Sequence, residues 1–209
     1  MKKTSLTLAL LLVLCFILPA QAQNSIGIIG GLNLANISVD PEDPDDDIAN
    51  LVALGVGGVL DLRLAENVAL HLQPLYLQKG AKDGTEGSDG KFKLAYFEVP
   101  AMVKVAFGTS SARPYIMAGP TIGFLLSAKS SEDGNEEDLK EFLKSTEFGV
   151  NFGAGVSFPA GNNSIFVEGR YSLGLSDIVK DEEGEDNSGS LKNKGIQIMG
   201  GVAFPLGSK

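Results

Sequence analysis

Apolar and polar residues alternate along most of the chain, and this period of two is typical of β-strands. The predicted strands are Ser25–Ser38, Leu51–Leu64, Val68–Gly80, Phe92–Phe107, Arg113–Ala128, Glu147–Phe158, Ser164–Ser176 and Gly195–Leu206. Short connections lie at Ala65–Asn67, Gly108–Ala112 and Pro159–Asn163, and long ones at Val39–Asn50, Ala81–Lys91, Lys129–Thr146 and Asp177–Lys194. Long and short connections therefore alternate, which in an up-and-down antiparallel sheet places every long loop at the same end.

Each predicted strand has one continuous apolar face, whereas its other face carries glycines, amides and a few charges. In the last strand, Ile196, Ile198 and Val202 share one face, opposite Gln197 and Met199. A soluble barrel would bury the apolar face and charge its outside heavily, but the second face has too few Lys and Glu residues. Small side chains suit the narrow lumen of an eight-stranded barrel, so the apolar face is expected to contact lipid.

The sequence therefore predicts an all-β fold, an eight-stranded antiparallel up-and-down transmembrane β-barrel. Closure of the barrel pairs the backbone groups of every strand, as hydrocarbon requires. Short turns at one end and longer loops at the other are typical of barrels in the bacterial outer membrane, where the long loops are extracellular. We expect this location for the chain.

Three prolines and one loop segment interrupt this pattern. Pro74, Pro100 and Pro120 fall inside predicted strands, where a closed barrel requires bulges or local gaps in pairing. Leu139–Lys144, in the third long loop, is predicted to form a short helical turn, with Glu136 and Lys140 spaced as i,i+4 partners.

Aromatic residues mark the end of the barrel that carries the short turns. Phe107 and Phe158 directly precede short turns, and Phe204 lies near the C-terminus. They are placed for an aromatic girdle at the periplasmic rim, although ordinary core aromatics are the alternative.

The first residues resemble a targeting signal rather than part of the barrel. Lys2 and Lys3 precede an apolar run over Leu6–Leu18 and the tripeptide Ala20-Gln21-Ala22, which predicts a cleavable signal peptide over residues 1–22. The barrel domain would then comprise residues 23–209. A transmembrane anchor is the alternative, but the run is too short to span a bilayer. Lipoprotein processing at Cys15 is disfavoured by the bulky residues before it.

The chain is acidic, with 26 Asp and Glu residues against 17 Lys and Arg and a net charge of −9. All but four acidic residues lie in the long loops or at their borders, and the exceptions are Asp61, Glu66, Glu98 and Glu168. The absence of a basic patch argues against a nucleic-acid partner. We expect contacts with outer-membrane lipid and lipopolysaccharide, and with extracellular or envelope proteins through the acidic loops.

Two acidic runs, Asp43–Asp47 and Asp181–Asp186, are candidate sites for Ca²⁺ or Mg²⁺. Both lack the alternating ligand spacing of an EF-hand loop, so solvated, self-repelling loops are the simpler interpretation. We therefore expect no resident metal and no cofactor.

Six segments together resemble a known family. They are Gly31-Leu-Asn-Leu-Ala-Asn-Ile37, Leu72-Gln-Pro-Leu-Tyr-Leu-Gln-Lys-Gly-Ala-Lys82, Phe97-Glu-Val-Pro-Ala-Met-Val-Lys104, Ala118-Gly-Pro-Thr-Ile-Gly123, Phe148-Gly-Val-Asn-Phe-Gly-Ala-Gly155 and Gly169-Arg-Tyr-Ser-Leu-Gly-Leu175. The chain is similar over essentially its whole predicted barrel domain to the small outer-membrane β-barrel proteins of Bacteroidetes-type bacteria, the porin-family or PorT-like barrels. The resemblance implies an outer-membrane barrel and accommodates the prolines, but it implies no specific activity.

The candidate site is a set of charges predicted to face the lumen, namely Asp61, Arg63, Glu98, Lys104, Glu168 and Arg170. Unpaired charges in a narrow interior are costly, so we expect an ion-pair network that plugs the barrel. A gate or selectivity ring for a small conductance is the alternative.

No catalytic set is evident from the sequence. His71, the single histidine, is expected to be a hydrogen-bonded filler beside Gln73, and no nucleophile elbow, P-loop or dinucleotide fingerprint occurs. We therefore expect a monomeric, non-enzymatic barrel with structural or surface-interaction roles. The alternative is a narrow porin-like diffusion channel or a barrel component of a secretion apparatus.

Overall fold

The computed structural model describes residues 24–40, 48–85, 87–108, 111–132, 134–180 and 189–207. The predicted signal peptide, residues 1–22, and the acidic runs Asp43–Asp47 and Asp181–Asp186 lie outside these ranges and stay predictions. Within them, no helix has the length and apolar character needed to cross a membrane.

Eight strands form a closed antiparallel ring in which each strand pairs with its neighbours in sequence. They are β1 (Asn24–Asp40), β2 (Leu51–Arg63), β3 (Val68–Leu72 and Leu75–Asp83), β4 (Lys91–Ala106), β5 (Arg113–Glu132), β6 (Thr146–Ala160), β7 (Asn163–Gly174) and β8 (Ser190–Leu206). The ring closes where β1 pairs with β8, from Asn24 opposite Leu206 to Asp40 opposite Ser190. The predicted eight-stranded antiparallel barrel is confirmed, with strand bounds close to those expected.

The three prolines coincide with local gaps in the strand ladders, as predicted. Pro74 lies in the break between the two segments of β3, where its carbonyl oxygen accepts a hydrogen bond of 3.0 Å from the Gly58 N–H. Between β4 and β5 the paired positions skip Ala101 and Met102, directly after the Pro100–Thr121 pair. Because the ladder is interrupted at these points, no hydrogen bond is needed from the N–H group that each proline lacks.

The wall of the barrel is apolar outside and mixed inside. Outward side chains such as Ile28 (66% exposed) and Val52 (64%) contrast with inward ones such as Leu75 and Met102 (both 0%). Phe107, Phe158 and Phe204 are exposed at the end with the short turns, where the aromatic girdle was predicted. A second aromatic row lies nearer the long loops, where Tyr76, Phe97 and Phe124 stand side by side on β3, β4 and β5.

Two short strands and one 3₁₀ turn extend the wall on the side of the long loops. Ile48–Ala49 pairs with the end of β3, Asn135–Asp138 pairs with the end of β5, and Lys140–Phe142 forms the 3₁₀ turn, which confirms the predicted helical turn.

The predicted i,i+4 pairing of Glu136 with Lys140 is wrong. Glu136 lies in a hairpin strand and accepts a hydrogen bond of 2.7 Å from Lys129 Nζ, and this contact lowers the pKa of the Glu136 carboxyl. Lys140 Nζ instead donates to the Leu126 carbonyl oxygen at 2.7 Å. The backbone of the hairpin strand forms its hydrogen bonds with β5 and not within a helix. Glu136 and Lys140 are therefore not on one face of a helix, and their side chains do not pair.

Candidate functional site

Buried polar and charged side chains from most strands converge along the axis of the barrel, and we call them the lumen network. Its part nearest the short turns, called periplasmic after the predicted orientation, contains Asp61, His71 and Lys104, from β2, β3 and β4. Lys104 Nζ donates to Asp61 Oδ2 at 3.0 Å and lies 4.2 Å from the centre of the Tyr115 ring. His71 Nδ1 contacts Asp61 Oδ1. Asp61 is therefore held from two sides.

The middle of the lumen network is organised around Gln73, Glu168 and Arg170, whose exposed fractions are 0%, 1% and 2%. Arg170 donates to the Gln73 side-chain oxygen and, at 2.6 Å, to Gln197 Oε1. Glu168 accepts hydrogen bonds from Gln73 Nε2 at 2.7 Å and from the Tyr115 hydroxyl at 2.9 Å. Gln73 thus links a buried cation to a buried anion.

The partners of Gln73 determine how its side-chain amide is oriented toward His71. Arg170 can only donate, which makes the Gln73 oxygen face it, and Glu168 accepts, which makes Gln73 Nε2 the donor. Gln73 Nε2 also lies 2.6 Å from His71 Nε2, so this ring nitrogen must accept. His71 therefore contacts Asp61 through Nδ1 and Gln73 through Nε2, and it fills and connects the network as predicted from its position.

The part of the lumen network nearest the long loops, called extracellular after the predicted orientation, has one lysine between two glutamates. Lys79 Nζ lies 2.5 Å from Glu98 Oε2 and 3.3 Å from Glu147 Oε1. Asn193 Nδ2 donates to Glu147 Oε2 at 2.9 Å. The Lys79 ammonium also lies 5.0 Å from the centre of the Tyr96 ring. A single cation therefore serves two carboxylates from two different strands.

Glycines on the inward faces leave the space that these side chains occupy. A Cβ atom at Gly153 would lie 2.7 Å from Arg170 Cγ and 2.8 Å from Met117 Cε. At Gly155 it would lie 2.5 Å from the Tyr115 hydroxyl oxygen. The small residues that the sequence places on the inward face thus leave room for the large polar side chains of the interior.

An apolar layer covers the lumen network on the extracellular side, and we call it the cap. Leu143 and Ile178, from the third and fourth long loops, pack on inward-facing residues of β4 and β5. The two loops are joined by backbone hydrogen bonds from Lys144 N to Ile178 O (2.8 Å) and from Lys180 N to Phe142 O (3.0 Å). The cap therefore belongs to the folded barrel.

At the opposite end the lumen opens into a cavity of about 260 Å³, which we call the periplasmic vestibule. Its walls include inward-facing residues from all eight strands, and its charged lining residues are Asp61, Arg63, Glu66, Lys104 and Arg113. The lumen is thus asymmetric, apolar at its extracellular end and charged at its periplasmic end.

Of the six predicted lumen residues, the structure brings Asp61 together with Lys104 and Glu168 together with Arg170 (Nε to Oε1, 4.0 Å). Glu98 pairs instead with Lys79, which the prediction did not include. Arg63 lines the periplasmic vestibule, and no ion pair between described residues includes it. The six residues therefore do not form one mutual network.

Several members of the lumen network were missed from the sequence. Lys79 shares the parity of His71 and Gln73 on β3, so the same alternation placed it inward. Glu147 was counted with the charges at a loop border, but it lies in β6 and is 3% exposed. Tyr115 carried no signal beyond its inward parity, and Asn193 was placed in the long loop before the last strand, which in the structure begins at Ser190.

Comparison with known proteins decides the family of this fold. The model of the outer membrane protein beta-barrel domain family matches residues 20–180 of the chain. The chain belongs to this family. No curated protein sequence matches it. This member of the outer-membrane barrel family is accordingly a protein of the bacterial outer membrane, as expected from its lipid-facing wall.

Solved structures with a similar fold are also outer-membrane proteins. Neisserial surface protein A is 15% identical over 88% of this chain and 97% of its own, with a TM-score of 0.53. A major outer membrane protein from Thermus thermophilus is 11% identical over 89% of this chain and 100% of its own, with a TM-score of 0.54. OprG from Pseudomonas aeruginosa is 13% identical over 90% and 97%, with a TM-score of 0.50. At these identities the likeness establishes the fold alone.

The described part of this outer-membrane barrel contains no group of three or more His, Cys, Asp or Glu side chains positioned to hold a metal ion. In the lumen network each of the carboxylates Asp61, Glu98, Glu147 and Glu168 lies within 4.0 Å of a basic side chain or His71. What this arrangement can do chemically is neutralise buried charge and fill the lumen.

Proposed function

We propose that this outer-membrane barrel is a non-enzymatic protein with a plugged polar lumen, and that its acidic extracellular loops serve structural or surface-interaction roles. The observation that carries the proposal is the pairing of the interior charges with one another beneath the apolar cap. Each carboxylate of the lumen network has a basic side chain or His71 within 4.0 Å, although single atoms such as Arg170 Nε lack a hydrogen-bond partner. This pairing lowers the need for the water that a conducting pore would contain.

The part of the loops that is described supports a surface role. Glu136, Glu137 and Asp138 are exposed on the short hairpin beyond β5, clear of the lipid-facing wall. Negative charge at this position favours contact with basic surfaces, or with lipopolysaccharide phosphates through divalent cations. On the family resemblance, we further propose that the chain is a PorT-like barrel of the Bacteroidetes type, and a monomer.

A narrow diffusion channel, or a barrel component of a secretion apparatus, is the second candidate. The periplasmic vestibule favours it, since the lumen is open to the periplasm as far as Asp61 and Lys104. Passage beyond this point would require both the lumen network and the cap to rearrange.

Planar-bilayer recording separates the two candidates. For the purified barrel we expect no stable, reproducible open state, because the paired interior charges and the cap would block a continuous aqueous path. A reproducible conductance that changes with Arg170→Ala or Glu98→Ala would contradict the plug and support the channel. Lys129→Ala is the matched control, since it removes an exposed charge from the same barrel without touching the lumen.

A further inference from the structure

The periplasmic vestibule has the composition of a binding site rather than of a packed end. The inward-facing positions at this end of the strands are mostly small, including Ser25, Ala106, Ser157 and Ala203, and they leave the cavity of about 260 Å³ open. The neighbouring layer of the lumen is filled instead by large side chains. This change in side-chain size leaves room for a small ligand at one end only.

The charge in the periplasmic vestibule is opposite in sign to that of the chain. Three basic residues line it, Arg63, Lys104 and Arg113, against two acidic ones, Asp61 and Glu66. Lys104 is engaged by Asp61 at 3.0 Å, and Glu66 lies exposed in the turn between β2 and β3. Two guanidinium groups therefore dominate the cavity in a protein whose net charge is −9.

Within the part of the chain that the structure describes, these two guanidinium groups have no ion-pair partner for their charge. Among the described residues, no ion pair includes Arg63 or Arg113, and the buried Nε atom of Arg113 has no hydrogen-bond partner. A guanidinium presents its N–H donors in a planar fork that matches oxyanions, and an unpaired buried donor is costly. An anion between the two arginines would remove that cost.

We propose that the periplasmic vestibule binds a phosphate group that enters from the periplasm. A phosphate monoester carries a charge of about −1.5 to −2 at neutral pH and a phosphodiester head group about −1, and both present several oxygens to the planar guanidinium forks of two arginines. Ser157, Ser164, Asn67 and Asn162 line the same cavity and supply neutral donors for the remaining oxygens. The phosphate comes from a soluble molecule or from a phospholipid head group of the periplasmic leaflet. The site does not require the lumen to conduct, so it goes beyond the proposed function and is independent of it.

The test is an NMR titration of the folded barrel in neutral detergent micelles, observing the arginine Nε–H resonances. One arm adds inorganic phosphate, and the other adds short-chain phosphatidylglycerol, with chloride as the ionic-strength control. We expect saturable shifts for Arg63 and Arg113 in at least one arm. A response to phosphate alone assigns a soluble ligand, and a response to the lipid alone assigns a head group.

Variants show whether the binding depends on the two arginines. Arg63→Gln and Arg113→Gln should each raise the dissociation constant about 10- to 100-fold, the loss expected for one charge-assisted hydrogen bond. Lys82→Gln, an exposed basic residue at the extracellular end, is the matched control and should leave the dissociation constant unchanged. A heat-modifiable gel shift verifies folding of each variant. The absence of saturable shifts in both arms, or equal binding by the arginine variants, would overturn the proposal.

Discussion

Replacing Arg170 with Met is expected to lower the free energy of unfolding of the barrel by about 3–5 kcal/mol, the usual cost of breaking a buried ion pair from one side. Arg170 is 2% exposed and donates to Gln73 and Gln197. Without it, Glu168 keeps two neutral donors, Gln73 and Tyr115, but loses its nearest cation. His71 Nε2 lies 3.9 Å from Glu168 Oε2, beyond hydrogen-bond distance, and already contacts Gln73, so it does not take the place of Arg170.

Urea unfolding in lipid vesicles, followed by the gel shift between folded and heat-unfolded protein, measures this loss. Lys129→Met is the matched control, because it breaks the pair with Glu136 when both side chains are about half exposed, and it should not change stability measurably. Adding Glu168→Gln to Arg170→Met should recover part of the loss, since it removes the uncompensated charge. Equal stability of Arg170→Met and Lys129→Met would show that the interior charges are not energetically coupled.

Gly80→Ala is expected to destabilise the barrel by about 3 kcal/mol, for two reasons that act together. Gly80 has a φ of 123°, which side chains rarely adopt, and a Cβ there would collide with the Phe92 carbonyl oxygen on β4. It lies where pairing between β2 and β3 is interrupted, beyond the Gly55–Leu77 pair. Because Gly80 lies opposite Lys93 in the ladder between β3 and β4, relief of the collision would require these two strands to separate.

The matched control for this prediction is Gly87→Ala. Gly87 also has a positive φ, 89°, but a Cβ there would have no atom within 4 Å, so only the backbone strain remains. We expect a loss of about 1 kcal/mol at Gly87 in the same urea experiment. Similar losses at both glycines would mean that the contact with Phe92 contributes nothing and that the dihedral angle explains the whole effect.

Much of the fold could be predicted because the face on which a strand residue lies depends only on its parity. Alternation alone placed Ile196 and Ile198 outside and Gln197 inside, and it indicated that Asp61, Glu98, Glu168 and Arg170 face the lumen. The break in β3 could also be predicted from one residue, because Pro74 has no backbone N–H to donate to a neighbouring strand. Loop lengths and the position of acidic residues predicted which end faces outward.

The sequence by itself thus determined the strands, their two faces and the membrane as their environment. Only the tertiary structure decided which interior charges meet. Lys79 pairs with Glu98 and Glu147, and Leu143 meets Ile178 from another loop, because register, bulges and barrel closure set the height of each residue along the axis. Those quantities depend on all eight strands together, and parity carries no information about height. For the same reason Arg63, predicted as part of the ion-pair network, lies instead in the periplasmic vestibule.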